Sequence, residues 1–400
     1  MSFGRQPIAN RFRDPSDRSP EYTFDMEVGV CPGCTLFQLI EQPAPELMFH
    51  EQYAFFSQTS VAMQAHFEAF AKDVIRRLEG RQDPFVVELG SNDGIMLRHF
   101  AGAGIRHLGI EPSANVGAEA RKSGVRTLTA FFGPQTAAQV EADDGTADMI
   151  LAANVMCHIP AIDDIARAAS ALLKPDGLLI FEEPYLGDVL RKTSYDQIYD
   201  EHVFLFSVTS VNNAFERHGL SVIHAAPQPT HGGSMRYFVG RRRHHVPSPA
   251  VATTLAAEKE RGFDRPETFD AFRRSCERSR SELVHLLREL AAEGKRVVGY
   301  AATSKSTTVL NYCDIGPDLI EYISDTTPLK HGKVSPGKRI PIRPHADFQA
   351  NYPEYAVLFA WNHAQEIMAK EQEYVARGGR WVSFVPTVRV LDRREPAAIT

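Results

Sequence analysis

Five short runs of this chain, rich in apolar residues, read as buried strands: "PFVVELG" (84–90), "RHLGIEP" (106–112), "VRTLTAFF" (125–132), "DMILAANVM" (148–156) and "GLLIFEEP" (177–184). A strand without strict alternation is covered on both faces. With helix-like segments between most of these runs, the pattern predicts a parallel sheet flanked by helices. "LSVIHAAPQP" and "SMRYFVGRR", joined by "THGG", predict an antiparallel pair added at the sheet edge. Upstream, residues 1 to about 56 mix short strand-like runs with turns, as a small β-rich module does. In "SVAMQAHFEAFAKDVIRRLEG", Val61, Phe67, Phe70, Val74, Ile75 and Leu78 fall at helical spacing, with Ser60 to cap the start and Gly80 to end it. The pattern breaks at "HHVPSPA" (244–250). "TFDAFRRSCERSRSELVHLLRELAAEG" then reads as one long amphipathic helix closed by Gly294. A second α/β rhythm runs through "KRVVGYAA" (295–302), "LIEYISDTT" (319–327), "YAVLFAW" (355–361) and "RWVSFVP" (380–386). The expected class is α/β.

Composition narrows the function. A chain of 400 residues is long for one core, in keeping with two or three domains. A net charge of −6 and a pI near 6.2 argue against bulk binding to nucleic acid or to a membrane surface. No apolar run reaches the ~20 residues that cross a bilayer, and "MSFGRQPIANRF" has no signal-peptide pattern, so a cytoplasmic protein is expected. Its five cysteines are scattered, which suits a reducing compartment. Cys31 and Cys34 form a C-x-x-C knuckle with no second pair downstream. From spacing alone the knuckle is half a zinc site or a turn with two reduced thiols.

"VVELGSNDGIML" is a strand, a glycine turn and a helix start with the spacing Gly90-x-x-x-Gly94, not the G-x-G-x-x-G of a nicotinamide site. Glu88 precedes the turn, and Asn92 and Asp93 lie within it. That acidity suits a cationic ligand better than a pyrophosphate. Glu111, followed by Pro112, closes the next strand, where an acid accepts hydrogen bonds from ribose hydroxyls. Phe131 or Phe132 is placed to flank an adenine, and Asn154 ends the fourth strand on the ligand-binding edge. S-adenosylmethionine, with its sulfonium, amino group and ribose, fits this set.

"SYDQIYDEHVFLFS" (194–207) follows the fifth strand and packs Tyr195, Asp196, Tyr199, Asp200, Glu201 and His202 together. Methyl transfer to carbon needs a base beside a carbonyl and a group to stabilise the enolate oxygen. A histidine, neighbouring phenols and a carboxylate to orient the imidazole would supply these parts. If the stretch is helical, Tyr199 and His202 share a face. In "VVGYAATSKSTTVLN", Ser304, Ser306, Thr307 and Lys305 lie near a helix N-terminus, which favours anions. "KHGKVSPGKR" and "WNHAQE" offer further polar groups.

"GRQPIANRF", "CPGC", "LMFHEQYAFFSQTS", "VELGSNDGIML", "GIEPS", "CHIP", "FEEPYLGDV", "SYDQIYDEHVFLFS", "HGGSMRYF", "VVGYAATSKSTTVLNYC", "SDTTPLKHGKVSPGKRIPI" and "LFAWNHAQEIMAKE" occur in that order. The chain resembles, over nearly its full length, the S-adenosylmethionine-dependent sugar C-methyltransferases of antibiotic deoxysugar pathways. The nearest type is the dTDP-3-amino-2,3,6-trideoxy-4-keto-D-glucose C-3-methyltransferase.

The resemblance implies three parts: a zinc-binding module (1–57), a Rossmann-like methyltransferase domain (58–246) and a Rossmann-like sugar-nucleotide domain (247–400). It implies His202 as the general base, with Tyr199, Glu201 and Tyr53 around the sugar. His158, Lys305 and Asn362 are implied on the substrate side. The expected partner is a dTDP-sugar, acted on by a monomer. The family's first cysteine pair lies upstream of "GRQP", so Cys31 and Cys34 are expected as a half-site with little or no zinc in the chain as written. Sugar C-5 methyltransferases share much of the pattern, and a non-catalytic nucleotide-sugar-binding protein is the alternative of another class.

Overall fold

A computed structural model of the chain describes residues 1–48 and 61–391. Ser60 and Tyr53 fall outside them. Among the described residues, three sheets organise the protein. The first is antiparallel and orders β1 (Ser2–Pro7), β2 (Thr23–Val30), β3 (Phe37–Leu39) and a late strand, Phe204–Leu205. That last strand comes from the "EHVFLFS" stretch far along the chain. It pairs Leu205 with Phe37, so the module and the candidate catalytic segment share one sheet.

The central sheet holds β4 (Phe85–Leu89), β5 (Arg106–Ile110), β6 (Thr127–Leu128), β7 (Ala147–Ala153) and β8 (Leu173–Pro184), with Phe204–Leu205 counted as β9. The hairpin of β10 (Ser221–Gln228) and β11 (Ser234–Gly240) completes it, in the order β10-β11-β8-β7-β4-β5-β6. Strands β4 to β8 run parallel and the hairpin antiparallel at the edge. Every residue of β4 is buried, the four apolar ones and Glu88 alike. Chain order reverses between β4 and β7. Crevices at such a reversal, outside the carboxyl ends of the strands, are where open α/β sheets bind ligands.

The third sheet orders β14 (Ile342–Pro344), β13 (Ile323–Asp325), β12 (Val297–Tyr300), β15 (Tyr355–Leu358), β16 (Arg380–Ser383) and β17 (Arg389–Leu391). Only β17 is antiparallel to its neighbour. The long helix spans Pro266–Ala292, and Gly294 takes the left-handed φ of +70° that ends it. A second helix, Pro249–Glu260, has no clear periodic signal in the sequence. It docks through Glu258, whose buried carboxylate accepts from the N–H groups of Val208 and Thr209 at 2.8 Å, both at a helix start, and from the Tyr185 hydroxyl at 2.8 Å. A helix N-terminus holds an anion well, and this one holds a carboxylate of the chain itself. Among the described residues no helix is long and apolar enough to cross a membrane.

Candidate active site

A cleft of about 410 Å³ lies where the three parts meet. The central sheet contributes the carboxyl ends of β4, β5 and β7. The N-terminal module contributes Asn10 and Pro45, and the C-terminal part Ser304, Lys305 and Asn362.

The β4 turn is shaped by conformation rather than by side chains. Gly90 has φ +61°, and a Cβ there would lie 2.4 Å from a Val155 methyl. Asn92 is also left-handed, at φ +49°. Glu111 holds this turn in register. One carboxylate oxygen accepts from the Asn92 N–H at 3.0 Å and the other from the Ser113 N–H at 2.8 Å. Burial pushes the Glu111 carboxyl up, while those two N–H groups pull it back. Each oxygen keeps a lone pair for a ligand. Gly90, Asn92, Glu111, Pro112, Phe132 and Asn154 all line the cleft. Glu88, Asp93 and Gly94 are not among its lining residues. Glu88 is buried, with one oxygen unpartnered. Burial, then Glu111 and Asp93 nearby, push its carboxyl far above the ordinary range. It is thus a neutral acid behind the turn, which corrects the expectation of an anion facing a cationic ligand. Gly94 lets the helix start approach Val125, where a Cβ would meet a methyl at 2.9 Å.

S-adenosylmethionine fits these residues. The glycine cradle leaves room for a ligand, Glu111 keeps acceptors for a ribose, and Phe131 and Phe132 border the space with flat apolar faces. When bound, it supplies an electrophilic methyl group on a sulfonium.

The second half of the cleft is the 197–202 segment. A 3-10 turn covers Tyr195–Gln197, and the Tyr199 carbonyl accepts from the His202 N–H at 2.9 Å. Tyr199 and His202 therefore meet across a turn, not on a helix face. The Tyr199 hydroxyl is 2.7 Å from His202 Nε2, and His202 Nδ1 is 2.7 Å from the Gln197 carbonyl oxygen. A carbonyl can only accept, so Nδ1 carries the proton and Nε2 is the basic nitrogen. The expected orienting carboxylate is replaced by this backbone carbonyl. Burial, then His158 and Lys305, hold the His202 ring far below its ordinary pKa, so it is neutral. His158 stacks on it with centroids 5.4 Å apart, and burial brings His158 itself down to about 4.

Glu201 points to the N-terminal module. One carboxylate oxygen accepts from the Asn10 amide at 2.6 Å, and burial pushes Glu201 up to about 7. Asp200 accepts from the Ala9 N–H at 3.0 Å, and the Ala9 carbonyl accepts from the Thr307 hydroxyl at 2.9 Å. One loop of the module thus touches both other parts.

Lys305 and Asn362 meet at 3.2 Å, and Lys305 sits 5.5 Å from the Trp361 ring centre. Trp361 donates to Asp196 at 2.6 Å. Ser306 is spent in a capping box with Thr303, and Thr307 on the module, so neither hydroxyl remains for an anion. Ser304 and Lys305 line the cleft.

Sequence reasoning did not single out Asn10, Gln197, His231 or Glu183. Glu183 accepts from the N–H groups of Val155, Met156 and Cys157 at 2.8, 2.6 and 3.3 Å, and so fixes the turn that carries Asn154 and His158.

At the Cys31–Cys34 knuckle, the N–H groups of Cys34 and Gly33 hold the Cys31 thiol below its ordinary range, while burial raises Cys34. Of the two, the lowered Cys31 thiol has the character of a zinc ligand. Among the described residues no group of three or more ligating side chains includes them, so zinc enters no step below. Cys157, His158 and His202 do bring donor atoms within 4.8 Å of one another, but burial and Glu183 keep the Cys157 thiol protonated and a poor ligand.

Three family profiles match successive parts of the chain: "Putative zinc binding domain" over 1–49, "Methyltransferase domain" over 63–225 and "C-methyltransferase C-terminal domain" over 229–386. The C-methyltransferase NovU of Streptomyces niveus is 35% identical over 394 residues, 98% of this chain and 94% of the relative. Among solved structures, magnesium protoporphyrin IX methyltransferase (ChlM) of Synechocystis PCC 6803 with bound SAM is 15% identical, with a TM-score of 0.35. It covers 45% of this chain and 80% of its own. A SAM-dependent methyltransferase of Anabaena variabilis is 16% identical with a TM-score of 0.35, covering 44% and 84%.

Proposed function

Since the chain belongs to the S-adenosylmethionine-dependent C-methyltransferase family, we propose that it methylates a ring carbon beside the ketone of a dTDP-linked 4-keto-deoxysugar, at C-3 of a 3-amino-4-keto sugar. The observation that carries this reading is the neutral His202, with its basic Nε2 on the Tyr199 hydroxyl in a cleft shared with the cofactor turn. Methylation of a hydroxyl or amine needs one base. A carbon acid needs a base and a donor for the oxygen that becomes negative.

His202 Nε2 takes the proton from the carbon next to the ketone. The C–H electron pair moves into the ring and charge gathers on the ketone oxygen. For this the Tyr199 hydroxyl must first turn from Nε2 to the ketone oxygen, which frees the single lone pair of Nε2 for the proton and gives the developing charge its donor. Desolvation in the cleft strengthens this donation. The Gln197 carbonyl stabilises the imidazolium through Nδ1–H. Lys305 and Asn362, which also line the cleft, suit the diphosphate side of a sugar nucleotide.

The test is mass spectrometry on a panel of dTDP-4-keto-6-deoxysugars incubated with enzyme and S-adenosylmethionine. One added methyl on carbon, placed beside the ketone by NMR, is expected. A methyl on oxygen or nitrogen, or none on any member of the panel, contradicts the reading.

A further inference from the structure

A third imidazole enters the cleft from the turn between β10 and β11. His231 has φ +54° and ψ 18°, inside the left-handed region. For a residue with a Cβ this costs about 1–2 kcal/mol, and such outliers cluster at ligand-binding positions. Gly232 follows, packed so closely on Trp361 that a Cβ would lie 2.1 Å from its ring. Glycine thus occupies the crowded position, and the strained position beside it holds a histidine.

The turn is tied to the proposed base. The Gln197 side chain donates to the His231 carbonyl at 2.5 Å, while the Gln197 carbonyl accepts from His202 Nδ1. One residue therefore ties the His231 backbone to the His202 ring. The His231 ring lines the cleft, and its Nε2 is shielded from solvent without a hydrogen-bond partner among the described residues. Burial, then Lys305, bring His231 down to about 3, so the ring is neutral. A buried polar nitrogen left unpaired is costly unless a ligand supplies the partner.

We propose that His231 is a substrate-binding residue whose Nε2 pairs with a hydroxyl of the sugar nucleotide. A hydroxyl both donates and accepts, so it meets Nε2 in either tautomer. The assignment rests on the reading that a sugar nucleotide occupies the cleft. It makes His231 a determinant of specificity, because a substrate lacking that hydroxyl leaves the nitrogen unpaired.

The test uses two variants of the full chain, His231→Gly and His231→Asn. Glycine relieves the left-handed strain and asparagine tolerates it, so both are suited to fold. Melting temperature, S-adenosylmethionine affinity, and KM and kcat for the accepted sugar nucleotide are compared with the wild type. The expected result for His231→Gly is unchanged cofactor affinity, a melting temperature no lower than wild type, and a KM raised about tenfold or more, the scale of one lost hydrogen bond. His231→Asn should recover part of that loss. Wild-type KM and kcat in His231→Gly would overturn the assignment while leaving the proposed reaction intact. A wild-type enzyme that methylates no sugar nucleotide would remove the reading and His231's role with it.

Discussion

The Tyr199 hydroxyl donates to His202 Nε2 at 2.7 Å, and the opposite ring nitrogen is fixed on a backbone carbonyl at the same distance. With one nitrogen fixed, only Nε2 can act as a base. His202→Ala should lower kcat by roughly two to four orders of magnitude, the usual contribution of a positioned base. S-adenosylmethionine affinity should hold, because the cofactor turn does not rest on His202. Tyr199→Phe should be milder, about tenfold, the scale of one hydrogen bond. Steady-state kinetics with cofactor titration checks both; lost cofactor affinity in His202→Ala would count against its role as base.

The acid side of the pH profile carries a sign. Burial depresses His202, so the base stays neutral below the ordinary histidine value of 6.5. The acid limb of kcat/KM, which reports the free enzyme, should therefore lie below 6.5. A limb at or above that value would show that the base is not this buried ring.

The Asn10–Glu201 contact couples the module to the site. Asn10→Ala leaves a buried carboxyl without its donor, a loss of about 1–3 kcal/mol, and should lower both the melting temperature and kcat. The pH dependence has a definite direction. Glu201 rises from 4.5 to about 7 on folding. Between those values the folded chain keeps a proton that the unfolded chain has lost, so this group's contribution falls as pH rises and is fully lost above about 7. The depressed imidazoles act in the opposite sense below 6.5, so the whole-protein profile mixes the two. Glu201→Gln isolates the acid. Its melting temperature relative to wild type should increase from about pH 5 to about pH 8. A constant difference would mean that Glu201 does not titrate there.

Gly90→Ala places a Cβ 2.4 Å from Val155 at a φ of +61°. The left-handed penalty alone is about 1–2 kcal/mol, and the clash moves the turn proposed to cradle the cofactor. Calorimetry should find S-adenosylmethionine bound at least about tenfold more weakly, with a lower melting temperature.

The parts of the site carried by local pattern were legible in the sequence. The mainly apolar run of β4 is visible in the pattern, and the Gly90 turn, Glu111 and Asn154 lie at strand ends that follow from such runs. The Tyr199–His202 pair was legible as a spacing, though a turn rather than a helix brings the two together. Contacts between distant segments were not legible. Asn10 reaches Glu201 across 191 positions, and Phe204–Leu205 joins a sheet formed by the first 39 residues. No local signal marks either. The Gln197 carbonyl that orients His202 belongs to the backbone, which no side-chain pattern can reveal. His231 sat within a stretch read as a hairpin turn and as part of the resemblance, with no role assigned to it. Its strain and its unpaired nitrogen exist only once Trp361 and Gln197 are packed against it.

Proton exchange without the methyl donor tests the central claim most directly. A dTDP-4-keto-deoxysugar is incubated in D₂O with wild-type enzyme, with His202→Ala and with no enzyme, and deuterium is followed at the carbon beside the ketone. The account predicts enzyme-dependent deuterium uptake that His202→Ala loses. Equal uptake in wild type and His202→Ala, or none above the enzyme-free rate, would contradict an enolate formed by His202.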